Sequence, residues 1–172
     1  MYKKRFHNII IIIPSFNELQ SLKLFVKKIR KYFDLIIIDD CSTDNTSRWL
    51  LKNKIEFLRN KKNLGYEKSI LKGLKYASNR KKYKFFISID GDGQHNFYDI
   101  FKIIKRHNLA KYDLIICNRY ETNRFLETII SNYTSIRFNL KDILTGFKIY
   151  NAKSLKRINL KNVGNKYLVD LV

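Results

Sequence analysis

Cysteine is scarce in this chain: Cys41 and Cys117 are the only two. Neither belongs to a CxxC pair or a His/Cys cluster, so no zinc signature is present. One disulfide is arithmetically open, but a reduced, cytoplasmic chain is the expectation. Acidic side chains are also few, 15 against 35 Lys+Arg, for a net charge of +20. That balance favours anionic partners, although a bias toward Lys, Ile and Asn would produce the same total on a merely solvated surface. No apolar run reaches the about 18 residues that a membrane span needs. The run Ile9–Ile13 is too short even for a signal-peptide core. Membrane contact is therefore expected to be peripheral or supplied by another chain. GxGxxG and GxxxxGK[ST] are both missing, so neither a dinucleotide fingerprint nor a P-loop is signalled.

What is present is a series of short apolar runs, each ending in polar residues. Ile9–Ile13, a β-branched run closed by the single proline, Pro14, has the pattern of a strand buried on both faces. Leu35–Ile38, Ile55–Leu58, Phe85–Ile89, Leu114–Cys117 and Gly146–Tyr150 read as further strands. Helical spacing appears between them: Leu19 to about Phe33, from near Asn45, around Ser69-Gly73-Ala77, Phe97–His107, Glu121–Phe138 and Ala152–Ile158. Small residues four apart at Ser69, Gly73 and Ala77 predict a helix lying close on the sheet. Asn17 is a candidate cap for the first helix, and one of Asp39 and Asp40 for the second. Alternation of this kind implies a single α/β domain over residues 1–172, with a largely parallel central sheet flanked by helices. Ligands of such sheets bind beyond the carboxyl ends of the strands, at the switch in strand order.

The organising stretch is Phe85–His95, FFISIDGDGQH. A buried strand cannot hold two bare carboxylates, so Asp90 and Asp92 belong at its end, facing a cleft, a metal or water. Carboxylate oxygens suit magnesium or manganese, and Gln94 adds a neutral oxygen of the same hard type. Gly91 and Gly93 allow a sharp turn and a close ligand approach. An acidic Asp-Gly surface turn is the plain alternative. Asp39 and Asp40 close the second strand in the same way.

IIIPSFNE, IIIDDCSTDNT, NLGYEKSILKGLKYA, SIDGDGQH, CNRY and KDILTGFKIY follow in the order found in family 2 nucleotide-sugar glycosyltransferases. The chain resembles that family over roughly Asn8–Tyr150, and within it the dolichyl- or polyprenyl-phosphate sugar transferases. The resemblance implies the Rossmann-like GT-A fold and a nucleotide-sugar donor of GDP-mannose or UDP-hexose type, held with Mg2+ or Mn2+. It places Pro14, Phe16, Glu18, Ile38, Asp40, Asp90 and Gly91 at the nucleotide sugar, and Asp90, Asp92 and Gln94 at the metal. Arg119 would clamp phosphate, and Arg119, Thr145 and Lys148 would serve the acceptor. Asp92, Arg119 and Asp142 would carry the catalysis, Asp142 as base where the acceptor is a hydroxyl.

The implied reaction is inverting transfer to a polyprenyl or dolichyl phosphate. The partner would then be an anionic membrane face or a membrane-embedded chain. Lys3–Arg5 and Arg80–Lys84 are the candidate lipid contacts, and no nucleic acid is expected. Alternatives are transfer to a saccharide hydroxyl, an inactive donor-binding subunit and a nucleic-acid-binding domain. The chain departs from the family pattern in having Cys41 where glycine is usual, Asn96 for a proline, and Cys117-Asn118 for Gly-Ser.

Overall fold

The computed structural model describes residues 5–91, 97–117 and 145–157. The isoleucine run lies inside β1 (Phe6–Ser15), and Ile9 to Ile13 are almost wholly buried. β2 (Phe33–Asp39) pairs parallel to one side of β1 and β4 (Phe85–Ser88) to the other, while β3 (Phe57–Arg59) extends the sheet beyond β2. With β5 (Leu114–Ile116) and β6 (Lys148–Asn151) the strand order is β3-β2-β1-β4-β6-β5. The order reverses at β1, so the crevice belongs between the carboxyl ends of β1 and β4.

Alternation along β1 and β2 divides the core. Ile9, Ile11, Ile13, Leu35 and Ile37 pack under α1 (Leu19–Ile29), α2 (Thr46–Lys52) and α4 (Tyr98–Arg106). Ile10, Ile12, Ile36 and Ile38 pack under α3 (Tyr66–Ser78) and α5 (Ala152–Arg157). The close approach expected of α3 is present: a Cβ on Gly73 would lie 2.3 Å from Ile12 Cγ2 and 3.3 Å from Ile38 Cγ1.

The sheet is largely parallel, as expected, with one reversed strand, while the end of the first helix and its cap differ from expectation. The first helix ends at Ile29 rather than near Phe33, because Phe33 pairs with Phe6 in the sheet and stacks on its ring at 5.1 Å. The last strand does not extend the parallel sheet; β6 inserts between β4 and β5, antiparallel to both. Its amino end therefore lies at the same sheet edge as the carboxyl ends of β1, β2 and β4. Asn17 does not cap α1. Its φ is +56°, and its Oδ1 accepts from Thr43 N at 2.8 Å. The cap comes from the next loop instead: Asp44 Oδ2 accepts from Leu19 N at 2.9 Å, and Asp44 Oδ1 accepts from Thr46 N at 3.2 Å. One carboxylate thus serves the amino ends of both α1 and α2; partial burial pushes its pKa up, but hydrogen bonds from the Thr46 hydroxyl and from Leu19 N and Thr46 N outweigh this and hold it below the ordinary range. The helix expected over Glu121–Phe138 lies outside the described residues.

Candidate active site

Three strand ends and one loop form a cleft of about 260 Å3, lined by Pro14 and Ser15 at the end of β1, Phe16 and Glu18 just beyond it, Asp40 after β2, and Asp90 and Gly91 after β4; Asn63, Gly65, Tyr66 and Ser69 complete it from the β3–α3 loop and the start of α3. Phe16 offers an apolar ring at the rim, 45% exposed. Ser15 O accepts from Asp40 N at 2.9 Å, which ties the first two strand ends together.

Asp39 and Asp40 are adjacent but differ in role. Asp39 is wholly buried; its Oδ1 accepts from Ser42 N at 2.8 Å, its Oδ2 accepts from the Ser47 hydroxyl, and Arg59 Nε lies 3.9 Å from it. It shapes the loop into α2. Asp40 faces the cleft and accepts from Asn60 Nδ2 at 2.7 Å, Leu64 N at 2.9 Å and Gly65 N at 2.8 Å. Neither caps α2 through a backbone N–H, the task that Asp44 performs. Cys41, between them and Ser42, has φ +69°, the left-handed region that favours glycine.

Asp90 is half-buried at the cleft, and Gly146 is what admits it. A Cβ at Gly146 would lie 2.1 to 2.4 Å from both carboxylate oxygens and Cγ of Asp90. Gly146 is itself held in place, its carbonyl accepting from Ser88 Oγ at 2.8 Å and from Tyr66 Oη at 3.3 Å. The antiparallel β6 thus brings the 145–147 segment against the acidic strand end. A Cβ on Gly91 would lie 3.5 Å from Glu18 Oε2, which puts the Glu18 carboxylate beside the same turn.

The structure brings together Pro14, Phe16, Glu18, Asp40, Asp90 and Gly91 of the expected nucleotide-sugar set. Ile38 does not join them; it is wholly buried under α3. Thr145 and Lys148 follow Asp90 closely in space, but both are buried rather than displayed on an open acceptor face, and Thr145 Oγ1 accepts from Phe147 N at 3.2 Å. Asp92, Gln94, Arg119 and Asp142 lie outside the described residues. Among the described residues no three His, Cys, Asp or Glu side chains cluster as a metal site. Among the described residues Asp90 presents a hard oxygen donor just beyond β4, beside Gly146 and at the cleft, a donor of the type that suits a divalent ion. Sequence reasoning missed the contribution of Asn60, Tyr66 and Ser69. The polar turn Asn63-Leu64-Gly65 was the available signal for it.

Burial, with the Asp99 charge, pushes the Cys117 thiol up to about 12, which disfavours the thiolate at neutral pH. Among the described residues no helix is long and apolar enough to cross a membrane.

Sequence and structural comparisons agree with this geometry. Glycosyl transferase family 2 matches residues 10–164. An uncharacterized protein of Methanocaldococcus jannaschii is 34% identical over 94% of this chain and 78% of its own length. The undecaprenyl-phosphate mannosyltransferase of Micrococcus luteus is 26% identical over 92% of this chain and 72% of its own. Among solved structures, glucosyl-3-phosphoglycerate synthase from Mycobacterium tuberculosis, in complex with Mn2+ and UDP-glucose, superposes with a TM-score of 0.67 at 16% identity. That alignment covers 86% of this chain but 57% of the synthase, so the likeness is one of fold. The family match takes in every strand end that feeds the cleft, and the chain accordingly belongs to glycosyl transferase family 2, as a glycosyltransferase of the GT-A fold.

Proposed function

We propose that this protein moves a sugar from a nucleoside-diphosphate sugar to a polyprenyl or dolichyl phosphate, with inversion at the anomeric carbon. The observation that carries the donor side is the convergence of Phe16, Asp40 and Asp90 on one cleft at the switch in strand order. Phe16 would cover the base and Asp40 would take a hydrogen bond from the nucleoside. Asp90, with Asp92 and Gln94 next to it in the sequence, would hold Mg2+ or Mn2+. When bound, the ion neutralises the diphosphate that leaves. Arg119 would grip phosphate through paired hydrogen bonds. The acceptor assignment is supported by the similarity to the undecaprenyl-phosphate mannosyltransferase. A phosphate monoester is already an anion at neutral pH and needs no strong base, so Asp142 would be dispensable for it. Thr145 and Lys148, being buried, would position the 145–148 segment rather than touch the acceptor. A lipid acceptor implies a peripheral station at an anionic membrane face or beside a membrane-embedded partner.

The test is transfer of labelled sugar into an organic-extractable product with polyprenyl monophosphate as acceptor, with Mn2+ and with excess EDTA. Lipid-linked product that requires the metal and survives Asp142→Asn supports the reading. Transfer only to free sugars or oligosaccharides, abolished by Asp142→Asn, overturns it in favour of a hydroxyl acceptor. Absence of any transfer, with donor still bound, points to a binding subunit.

A further inference from the structure

The hydrogen bonds that Asp40 already makes restrict what a donor can present to it. A carboxylate offers about four lone-pair sites, two on each oxygen. Oδ1 has both filled, by Asn60 Nδ2 at 2.7 Å and Leu64 N at 2.9 Å. Oδ2 takes Gly65 N at 2.8 Å and keeps one site. Asn60 cannot turn away, because Lys72 Nζ, which only donates, lies 2.6 Å from its Oδ1 and 2.9 Å from Arg59 O. This fixes the amide with its oxygen toward Lys72 and its NH2 toward Asp40 and Ser69 Oγ, the latter at 3.1 Å. Asn60 and Asp40 are 3% and 4% exposed, so neither rearranges freely into solvent.

Resting on the reading that Asp40 meets the donor's base, we propose that this cleft takes uridine diphosphate donors in preference to guanosine ones, because Asp40 can accept one further ligand N–H but not two. Uracil presents a single ring N–H. Guanine presents two adjacent donors, N1–H and N2–H, which match both oxygens of one carboxylate. With Oδ1 filled, one of the two enters the cleft without a partner, and a desolvated donor left unmatched is costly. Cytosine can offer an N–H from its exocyclic amine on that edge only by bringing its N3 lone pair against the carboxylate, which repels it. Asn60 and Lys72 act here as positioning residues: they set the acceptor capacity of Asp40 without themselves lining the cleft.

Isothermal titration of the full chain with UDP, GDP and CDP, at one Mn2+ concentration, tests this. UDP is expected to bind at least about tenfold tighter than GDP or CDP, the effect of one lost hydrogen bond to a charged group. Equal affinities would place the Oδ2 site on the ribose, and tighter GDP would show two sites open. Either result overturns the inference and leaves the transferase reading standing. Failure of all three to bind overturns both. Asn60→Ala opens a site on Oδ1 and should shift the GDP-to-UDP affinity ratio several-fold toward GDP. A folded Asn60→Ala protein with an unchanged ratio overturns the lone-pair account, and the wild-type comparison holds whether or not that variant folds.

Discussion

Gly146 and Asp90 show how much of the site depends on a hydrogen in place of a methyl group. The Asp90 carboxylate occupies the space that a Cβ on Gly146 would need, at 2.1 to 2.4 Å from three of its atoms. Gly146→Ala must displace the short Asp90 side chain, which borders the open cleft. The fold is therefore expected to survive, with a Tm within a few degrees of wild type. Donor turnover is expected to fall by on the order of a hundredfold, as when a group that stabilises charge in the transition state is misplaced. A folded Gly146→Ala protein with unchanged turnover would remove Asp90 from the chemistry. The placement of Asp90 at a cleft was legible from the sequence, since a carboxylate after a buried run must find a cleft or a partner. Its neighbour was not, because nothing in the sequence shows the strand after Gly146 running antiparallel. The same holds for Cys41. The sequence shows a departure from glycine there, but only the backbone, at φ +69°, shows that the cysteine occupies a conformation glycine holds more easily.

Among the elements, α3 joins the sheet most closely to the cleft. Its inner face carries Ser69, Gly73 and Ala77, and its first turn supplies Tyr66 and Ser69 to the site. Gly73→Ala tests this contact. Helix propensity favours alanine by about 1 kcal/mol. Against that, the new methyl would lie 2.3 Å from Cγ2 of Ile12, which is wholly buried in β1 with strands paired on both sides. Overpacking typically costs about 1–3 kcal/mol, so a net loss of about 1 kcal/mol is expected, measurable by urea unfolding. A stabilised variant would mean that α3 can lift from β1. The close packing was readable from residue spacing alone, because four-residue periodicity is local. The cap of α1 was not readable, because the capping carboxylate, Asp44, lies 25 residues beyond Leu19 and reaches it only through the parallel pairing of β1 and β2.

At the scale of the whole molecule the sheet has two dissimilar ends. The amino ends carry a second cleft, lined by Arg5, Arg30, Lys54, Arg80 and Lys82 around Asp34 and Glu56. Partial burial pushes the Asp34 carboxyl up, but hydrogen bonds from Lys82, Arg5 and Tyr83 outweigh this and hold it down at about 2. A depressed carboxylate stabilises the fold above its unfolded pKa and loses that contribution as the pH falls through the folded one. Asp34→Asn is therefore expected to cost about 1 kcal/mol at neutral pH, less than the full shift because solvent screens its exposed partners Arg5 and Lys82, with the difference from wild type fading between about pH 4 and pH 2. A pH-independent difference would assign the loss to packing. Of the basic segments expected at the membrane, Lys3–Arg5 and Arg80–Lys84, Arg5 and the second segment belong to this amino end, Lys3 and Lys4 lie outside the described residues, and the cleft of Asp40 and Asp90 opens at the other end. Ten residues of β1 separate the two ends by about 33 Å. Charge at one end is screened from the other at physiological salt, where the Debye length is about 8 Å. Adsorption through the amino end would turn the cleft away from the bilayer. If the acceptor is a membrane lipid, the basic residues that matter are those beside the cleft, and Lys61 and Lys62 are exposed there, next to Asn63. A basic residue near anionic lipid contributes about 1 kcal/mol. Reversing both, Lys61→Glu with Lys62→Glu, is therefore expected to lower transfer to polyprenyl phosphate in anionic vesicles by about tenfold or more. Transfer to a detergent-dispersed acceptor should be spared. Lys81→Glu with Lys84→Glu, at the far end, should change neither. The reverse result, with the 81/84 pair sensitive and the 61/62 pair silent, would put the membrane at the amino ends and require the lipid to reach the cleft around the side of the sheet.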